Sequence, residues 1–244
     1  CERNASKRLL QQLRIEHPHL KIIIVEDSLS SNHPHLALLD QLHMEYIIGV
    51  KAGDHEYLFD SIKHAKPTIF TYLDDKKIKH EFSCYYSMPI NYEHYDYTVN
   101  ILMYTETTSK GKVTNWSWVT KLPLTEENVF KIMRAARARW RIENETFNTL
   151  KNQGYNFEHN YGHGYKNLCS VMTMLMILAF LIDQVQQACC GIYQQARHKS
   201  GGTLRVFFEN IRAFFRRFVW QNFQQLLEFI GDIINAPPPQ LDVC

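Results

Sequence analysis

Residues 20–27 read Leu-Lys-Ile-Ile-Ile-Val-Glu-Asp, a short β-branched run that ends on two carboxylates. Such a run is typical of a strand that is buried on both faces, as in parallel sheets. A helical segment at 33–44 follows, with Pro34 in its first turn, then a strand at 46–50 and a second helical segment at 55–64. This order of elements predicts an α/β layer in which the first strand is central.

The sequence changes character after residue 66. Alternating aromatic and β-branched runs separated by polar turns predict antiparallel strands inserted between two parts of the α/β unit. A long helix is predicted from Thr125 to about residue 152, and most of the remaining chain has helical spacing. The predicted segments are a partial core at 1–66, a β-rich insertion at 67–124, core helices at 125–190, and a helical extension with a disordered tail at 191–244.

The bulk composition narrows the class of protein. A chain of 244 residues that is 45% hydrophobic can bury a substantial core. The net charge of +2 neither supports nor excludes nucleic acid as a partner, so local clustering of charge has to decide. The six cysteines have no C-x-x-C spacing, which favours free thiols in a reducing compartment and hence a cytoplasmic protein.

Three features concern the start of the chain, its most apolar stretch and an aromatic and basic stretch near its C-terminal end. It begins with Cys1 instead of Met, so we expect a fragment of a longer protein. The apolar run at 168–182 is shorter than the roughly 18–20 residues that cross a bilayer, so we predict a buried helix and no membrane partner. The aromatic and basic stretch at 203–230 is predicted to cover the core or form a dimer contact, with membrane-surface binding as the alternative.

Asp27 is the first candidate for chemistry. It follows directly on a predicted parallel strand, at the end where α/β folds place their ligands. A second carboxylate nearby would allow two metal ions to be held against a phosphodiester. Glu26 is an alternative ligand, but alternation along the strand points it to the opposite side. The ordinary alternative for Asp27 is a turn or helix-cap residue.

Glu143 is the second candidate, and it lies in a basic helix. Between 131 and 151 the basic residues outnumber Glu143 and Glu145; they are Lys131, Arg134, Arg137, Arg139, Arg141 and Lys151. At about 100° per residue, Glu145 lies on the opposite helix face from Glu143, whereas Arg139 shares its face. Such a helix can neutralise phosphates, although a solvated charged face with an Arg139–Glu143 salt bridge is the alternative.

These stretches resemble DDE transposases of bacterial insertion sequences, in the group whose signature is Tyr-x-x-Arg-x-x-x-Glu-x-x-x-x-x-x-Lys. The segment Arg139-Trp-Arg-Ile-Glu143 carries the Arg and the Glu of that signature. The Val-Glu-Asp-Ser-Leu block that contains Asp27 is similar to the block around the family's second catalytic Asp. Two positions depart from the pattern: Ala136 stands where the family has Tyr, and the Lys comes one residue late, at Lys151.

The resemblance implies a ribonuclease-H-like core that lacks its first strands, with Asp27 and Glu143 as catalytic residues and as ligands of Mg²⁺ or Mn²⁺ in a two-metal site. It implies that Arg139, Arg141 and Lys151 hold DNA phosphates, and that Trp118 in the insertion stacks on a base. Core packing is the alternative for Trp118 and its neighbour Trp116. The acidic residues before Asp27 are Glu2, Glu16 and Glu26, and none follows an apolar strand, so the first catalytic Asp is missing.

The function implied is metal-dependent cleavage and strand transfer at insertion-sequence ends. The partners would be double-stranded DNA, as element ends and as target, and a second copy of the chain in a homodimer on the nucleoid. The alternative is a catalytically dead remnant that binds DNA or dimerises and so regulates an intact transposase. A zinc site at His159 and His163 is not expected, because Gly162 and Gly164 favour a loop and no cysteine is suitably placed.

Overall fold

The computed structural model describes residues 2–162, 164–232 and 240–241. The chain forms two compact units, residues 1–140 and residues 141–244. The elements that begin in the first unit are α1 (Glu2–Glu16), β1 (Ile23–Glu26), α2 (His33–Gln41), β2 (Glu45–Gly49), α3 (Glu56–Lys63), β3 (Thr68–Leu73), β4 (Lys79–Pro89), β5 (Thr98–Thr107), β6 (Val113–Thr120) and α4 (Val129–Arg141). His163 and most of the tail that the sequence analysis predicted to be disordered, residues 233–239 and 242–244, lie outside the described residues.

One six-stranded sheet with the order β1-β2-β6-β5-β4-β3 organises the first unit. β1 and β2 are parallel, and every other neighbouring pair is antiparallel. The strands predicted as an insertion belong to this same sheet, because β6 pairs with β2 through Ile48 opposite Val119. Alternation along a sequence identifies a strand and its turns, but it does not show which distant strand is the partner. The α/β class that the sequence predicted is confirmed.

The prediction that the first strand is central is wrong for the described sheet. β1 pairs with β2 and lies at the sheet edge, where Ile23 is 50% exposed. The β-branched run at 22–25 has the composition of a strand buried on both faces, and composition does not show whether a neighbour is present on each side. The helix α2 between the two parallel strands is confirmed, with Asn32 as its N-cap and Pro34 in its first turn.

The two faces of the sheet pack against different helices. Ile101 and Val119 lie in the cluster that also contains residues of α1, α2 and α3. Leu102 and Trp118 lie in the cluster on the other face, with Ile132 and other residues of α4. Alternate residues of a strand point to opposite faces, so one pair of adjacent strands serves both clusters. The sheet is therefore a central layer that holds α4 on one side and α1–α3 on the other.

The second unit begins inside a continuous helical run. α4 passes into a π-helical segment at Ile142–Phe147, and that segment passes into α5 (Asn148–Asn152). The further elements are α6 (Leu168–Cys189), α7 (Gly191–Lys199), α8 (Leu204–Arg217), β7 (Phe218–Val219), α9 (Phe223–Ile230) and β8 (Gln240–Leu241). A small core forms between α7, α8 and α9 around Tyr193, Phe207 and Leu227, which are nearly inaccessible to solvent.

The prediction of a buried helix at 168–182 is wrong, while the absence of a membrane partner stays a prediction. The helix α6 continues through Asp183 to Cys189, so it has 22 residues, and by length and composition it could cross a membrane. None of its residues is buried in the described structure, so it is not the buried helix that the sequence predicted. A count of consecutive apolar residues stops at Asp183, whereas the helix does not. Asp183 accepts a hydrogen bond from Tyr155 at 2.7 Å within the same unit.

Candidate functional site

A cleft of about 1000 Å³ opens at the carboxyl ends of β1 and β2 in the first unit. Asp27 lines it on the β1 side, Lys51 follows β2, and Arg137 and Arg139 of α4 face it from the helix. Trp116 and Trp118 of β6 also line it. In an open α/β sheet the carboxyl ends of parallel strands are the usual place for a ligand. The cleft is lined by the half-buried Glu26 and Asp27, the exposed Asp54 and several cations. Carboxylates beside cations are the chemistry needed to hold a metal ion and a phosphodiester.

Asp27 is fixed by its own turn. Its Oδ1 accepts a hydrogen bond at 3.0 Å from the backbone N–H of Leu29, so the side chain caps the short 3₁₀ helix Ser28–Ser30. This is the cap role that the sequence analysis kept as the ordinary alternative. A carboxylate has lone pairs left after one such bond, so capping and ion binding are compatible. The cap therefore orients the side chain toward the cleft without using up its oxygens.

Glu26 points away from Asp27 and anchors the strand end. Its carboxylate accepts a hydrogen bond from Nε2 of His35 at 2.5 Å and one from the hydroxyl of Ser6 at 3.3 Å. Burial acts to raise the pKa of Glu26, but the hydrogen bond and charge of His35, together with hydrogen bonds from Ser30 and Ser6, outweigh it, and the pKa lies below its ordinary value. Glu26 is thus engaged with α1 and α2, which leaves Asp27 as the better placed of the two carboxylates.

A second histidine holds the other side of the Asp27 turn. Ser31 is buried, and its Oγ donates to the carbonyl of Ser28 at 2.6 Å. Its one proton is used there, so Nε2 of His55, also at 2.6 Å, donates to Ser31 Oγ. Burial lowers the pKa of His55, while the charge of Asp54 opposes this shift. The turn after β1 is therefore tied to the loop after β2, and the two sides of the cleft are joined.

A chain of hydrogen bonds reaches the cleft from inside the sheet. Nδ1 of His80 lies 2.7 Å from the hydroxyl of Tyr104, which donates to Glu106 at 2.9 Å. Glu106 also accepts from Arg137 at 2.8 Å. Burial, with Glu106, raises the pKa of Tyr104 above its ordinary value, so the hydroxyl remains a donor. The guanidinium of Arg137, held in this way, lies over the Trp116 ring at 4.6 Å.

The two tryptophans of β6 lie on the same sheet face, as their spacing predicted, but their surroundings differ. Trp118 is 7% exposed and packs in the α4 cluster, with its ring 6.5 Å from that of Tyr104. Trp116 is half-buried beside the cleft and stacks on Tyr104 at 5.3 Å. The geometry at Trp118 is that of the core-packing alternative. The prediction that it contacts DNA stays a prediction, and Trp116 is the more accessible ring.

Glu143 and Lys151 face the same cavity in the second unit. They line a space of about 570 Å³ with Asn144, Asn148 and Phe157. Lys151 is also paired with Glu158 at 2.8 Å. The side chain of Glu143 is exposed.

The π-helical segment explains how Lys151 reaches the face of Glu143. In a regular α-helix, a residue eight positions after Glu143 would lie about 80° round the axis from it. The N–H of Asn148 bonds instead to the carbonyl of Glu143, five residues back, so this turn takes one residue more than an α turn. The extra residue in this turn rotates Lys151 by about 100° back around the helix axis. Lys151 therefore has the orientation relative to Glu143 that it would have seven residues after Glu143 in a regular α-helix.

The helical run ends in a turn that the C-terminal helices support. Gly154 has φ +105°, a left-handed conformation that glycine adopts without strain. A Cβ on it would lie 3.0 Å from the ring of Phe208 in α8. The next residue, Tyr155, packs edge-on against Phe208 at 5.2 Å. The end of the run that carries Glu143 and Lys151 is therefore fixed by contacts with α8.

The remaining predicted residues are placed as follows. Arg139 lines the cleft of the first unit. Arg141 lies on the exposed helix surface, 3.9 Å from Glu145 across one turn. Within residues 2–162, 164–232 and 240–241, no group of three or more His, Cys, Asp or Glu side chains could hold a metal ion. Asp27 thus supplies one carboxylate to its cleft and Glu143 one to its cavity, and neither place alone holds a complete ligand set.

The comparison with known families gives the class of protein. A family model described as "Transposase DDE domain" matches residues 1–181, which is most of the chain. The chain therefore belongs to the DDE transposases, a family that acts on DNA and generally uses divalent metal ions. The search of curated proteins found no match. Residues after 181, which include α7, α8 and α9, lie outside the matched region.

Proposed function

We propose that the chain carries out metal-dependent cleavage and strand transfer at insertion-sequence ends, as part of a ribonuclease-H-like catalytic core. The observation that carries this proposal is the position of Asp27: a capped carboxylate at the end of a parallel strand, in a cleft shared with Lys51, Arg137 and Arg139. Glu143 is the second catalytic carboxylate, supported by its position on one helix face with Lys151.

Asp27 and Glu143 would hold Mg²⁺ or Mn²⁺, two ions in the complete site, because carboxylate oxygens are the donors that hard cations prefer. A bound pair of ions would stabilise charge on the attacking and leaving oxygens. A third carboxylate is needed to complete the ligand set, and the described residues contain no group of three His, Cys, Asp or Glu side chains that could hold a metal ion. We therefore expect the 244-residue chain by itself to cleave DNA weakly.

The cations of the chain position the DNA. Arg139 in the cleft and Lys151 beside Glu143 are proposed to bind phosphates near the scissile bond, with Arg141 on the adjoining exposed surface. Guanidinium groups can hold a phosphate by two hydrogen bonds, whereas Lys acts as a point charge. An aromatic ring of β6 is proposed to stack on an unpaired base. The half-buried Trp116 is more accessible for this than Trp118, the ring that the family resemblance implies.

The proposal includes a homodimer on double-stranded DNA in the bacterial cytoplasm. A supercoiled plasmid that carries the DNA flanking the gene tests the activity. With Mg²⁺ or Mn²⁺ the chain should nick this plasmid in preference to one without that DNA, and a chelator should stop the reaction. Equal nicking of both plasmids, or nicking that persists in chelator, would contradict the proposal.

The second candidate function is a DNA-binding or dimerising remnant that inhibits an intact transposase. It is favoured by one observation, the lack of a three-carboxylate group among the described residues. A remnant should bind DNA with strong salt dependence and show no metal-dependent nicking. Added to an active relative, it should lower that enzyme's cleavage by mixed assembly. Binding without nicking would therefore select this candidate.

The π-helical segment makes a specific prediction about spacing. Deleting Glu145 should let 142–152 form a regular α-helix in which Lys151 keeps its place beside Glu143, now seven residues away. The deletion removes an exposed Arg141–Glu145 pair, which contributes little to stability, and the exposed hydrogen bond from the Thr149 hydroxyl to the Glu145 carbonyl. We expect DNA affinity within about twofold of the wild type and a salt dependence that is unchanged.

Two variants serve as controls for that deletion. Inserting one Ala between Asn148 and Thr149 should turn Lys151 by about 100° away from Glu143. This insertion should then behave like Lys151→Gln, with the slope of log affinity against log salt reduced by about one. If deletion of Glu145 weakens binding as much as Lys151→Gln does, the π turn does not set the position of Lys151.

A further inference from the structure

The helix α8 carries a stripe of three arginines on one face. Arg205, Arg212 and Arg216 are spaced by seven and four residues, which places them within about 40° of one another around the helix. The stripe is about 16 Å long, since each residue rises by about 1.5 Å. We call these three residues the arginine stripe. Its length matches several phosphates along a nucleic-acid backbone.

The opposite face of α8 fixes the direction of the stripe. Phe207 is fully buried, and its ring lies 5.1 Å from that of Tyr193 in α7. Ile211 packs into the same cluster, and Thr203 caps the helix by accepting from the N–H of Val206. The apolar face is thus held in the small core of the second unit. The arginine stripe, on the other side, is presented to solvent by a helix whose rotation is fixed.

The charge of the stripe is only partly compensated. Arg205 pairs with Glu209 at 3.1 Å, whereas Arg212 donates to the neutral carbonyl of Gly154 at 2.5 Å. In the described ranges, no ion pair is formed by Arg216, which is exposed. Residues 191–232 contain six Lys and Arg against three Asp and Glu, in a chain whose total is only +2. The basic character of this region is therefore local.

The contact with Gly154 connects the stripe to the proposed DNA-binding helix. Gly154 ends the run that carries Lys151, and Arg212 and Phe208 both touch that turn. Arg212, the middle residue of the stripe, therefore lies at the turn that follows Lys151 in the same unit.

We propose that the arginine stripe of α8 is a second DNA-backbone contact, in a part of the chain that the family model does not match. This inference rests on the proposed function, since the arginine stripe would contact a further part of the same DNA molecule. Arginine suits phosphate because its planar guanidinium can form paired hydrogen bonds. A helix that lies on a membrane surface leaves its apolar face to the lipid, whereas the Phe207 face of α8 is already packed. The contact is sequence-independent and sensitive to salt.

The test is the salt dependence of DNA binding by the full chain. The double variant Arg205→Gln, Arg216→Gln spares Arg212, which supports the Gly154 turn. A short duplex is titrated at several salt concentrations, and log affinity is plotted against log salt. We expect the slope to fall by about two, because each phosphate contact contributes about 0.9. A matched variant, Lys76→Gln with Lys77→Gln in the exposed β3–β4 turn, should keep the wild-type slope.

Each other outcome has a distinct meaning. If the arginine variant binds DNA normally and its slope equals that of the wild type, the stripe does not contact DNA. That result leaves the proposed function intact. A wild-type chain that binds no DNA at low salt overturns both. Vesicles of phosphatidylcholine with phosphatidylglycerol are the third arm. If they bind the wild type but not the arginine variant, while the DNA slope is unchanged, the stripe is a membrane contact and the proposal is wrong. Thermal unfolding of each variant confirms that the fold is retained.

Discussion

Replacing Asp27 by Asn is expected to reduce the metal-dependent nicking of the wild-type chain, however slow, by at least about two orders of magnitude. Bound metal ions stabilise transition-state charge by several kcal/mol, and about 1.4 kcal/mol corresponds to a tenfold change in rate. Asn keeps the oxygen that caps the N–H of Leu29, so the turn should be preserved. It lacks the negative charge that holds a divalent ion. The measurement is the initial rate of plasmid nicking across a range of Mn²⁺ concentrations.

DNA affinity provides the internal comparison for this variant. Loss of a carboxylate removes repulsion from the phosphate backbone, so binding without metal should be unchanged or slightly tighter. Asp75→Asn, in the exposed turn after β3, removes the same charge at a distance from the cleft and should cleave like the wild type. If Asp27→Asn retains wild-type nicking, Asp27 is only a cap residue. If wild type and variant are equally inactive but bind DNA, the remnant function remains.

The location of Asp27 at the end of a strand could be predicted from the sequence, because it depends only on neighbouring residues. A β-branched run that ends on a carboxylate indicates a strand end, and the following helix and strand make that end the ligand side of a parallel pair. The other residues that line the cleft could not be predicted in this way. Lys51 and Arg137 reach the cleft through pairing and packing between distant segments, and a run of basic residues does not show which members face a site.

The helical run at 129–152 shows a different limit. Its existence was predicted, but the angular positions were worked out for a constant 3.6 residues per turn. That period put Lys151 away from Glu143, whereas the π turn at Ile142–Phe147 brings it back. A π turn accommodates one extra residue between two positions of a helix without changing the face on which they lie. The periodicity of the sequence does not show where such a turn is located. The departure of Lys151 from the family spacing is thus resolved by geometry, while Ala136, buried in the α4 cluster, still offers no hydroxyl.

The sequence does not show which of the two tryptophans of β6 is buried. Both occupy equivalent positions in the alternating pattern of the strand, and their flanking residues are similar. The structure separates them by burial. Trp118 lies opposite Leu102 and is buried under α4, while Trp116 lies nearer the open end, under Arg137. Two variants at positions two residues apart should therefore have different effects, one on stability and one on binding.

Trp118→Ala is expected to lower the free energy of unfolding by about 3–5 kcal/mol, because truncating a buried aromatic side chain loses its transfer free energy and leaves a cavity. Trp118→Phe, which fills part of that space, should cost clearly less. Trp116→Ala removes a half-buried ring and should cost less than Trp118→Ala, but it removes the surface on which a base would stack. Stacking is worth about 1–3 kcal/mol per base, so its affinity for single-stranded ends should fall roughly five- to 150-fold.

Urea unfolding and DNA titration of the folded fraction measure these two effects separately. The prediction is a loss of stability with normal affinity for Trp118→Phe, and a loss of affinity with near-normal stability for Trp116→Ala. If Trp118→Phe weakens DNA binding while its unfolding midpoint stays at the wild-type value, Trp118 contacts DNA directly and its burial in this conformation is relieved on binding. That result would restore the role that the family resemblance implies for Trp118, and it would require the β6 end of the cleft to open when DNA enters.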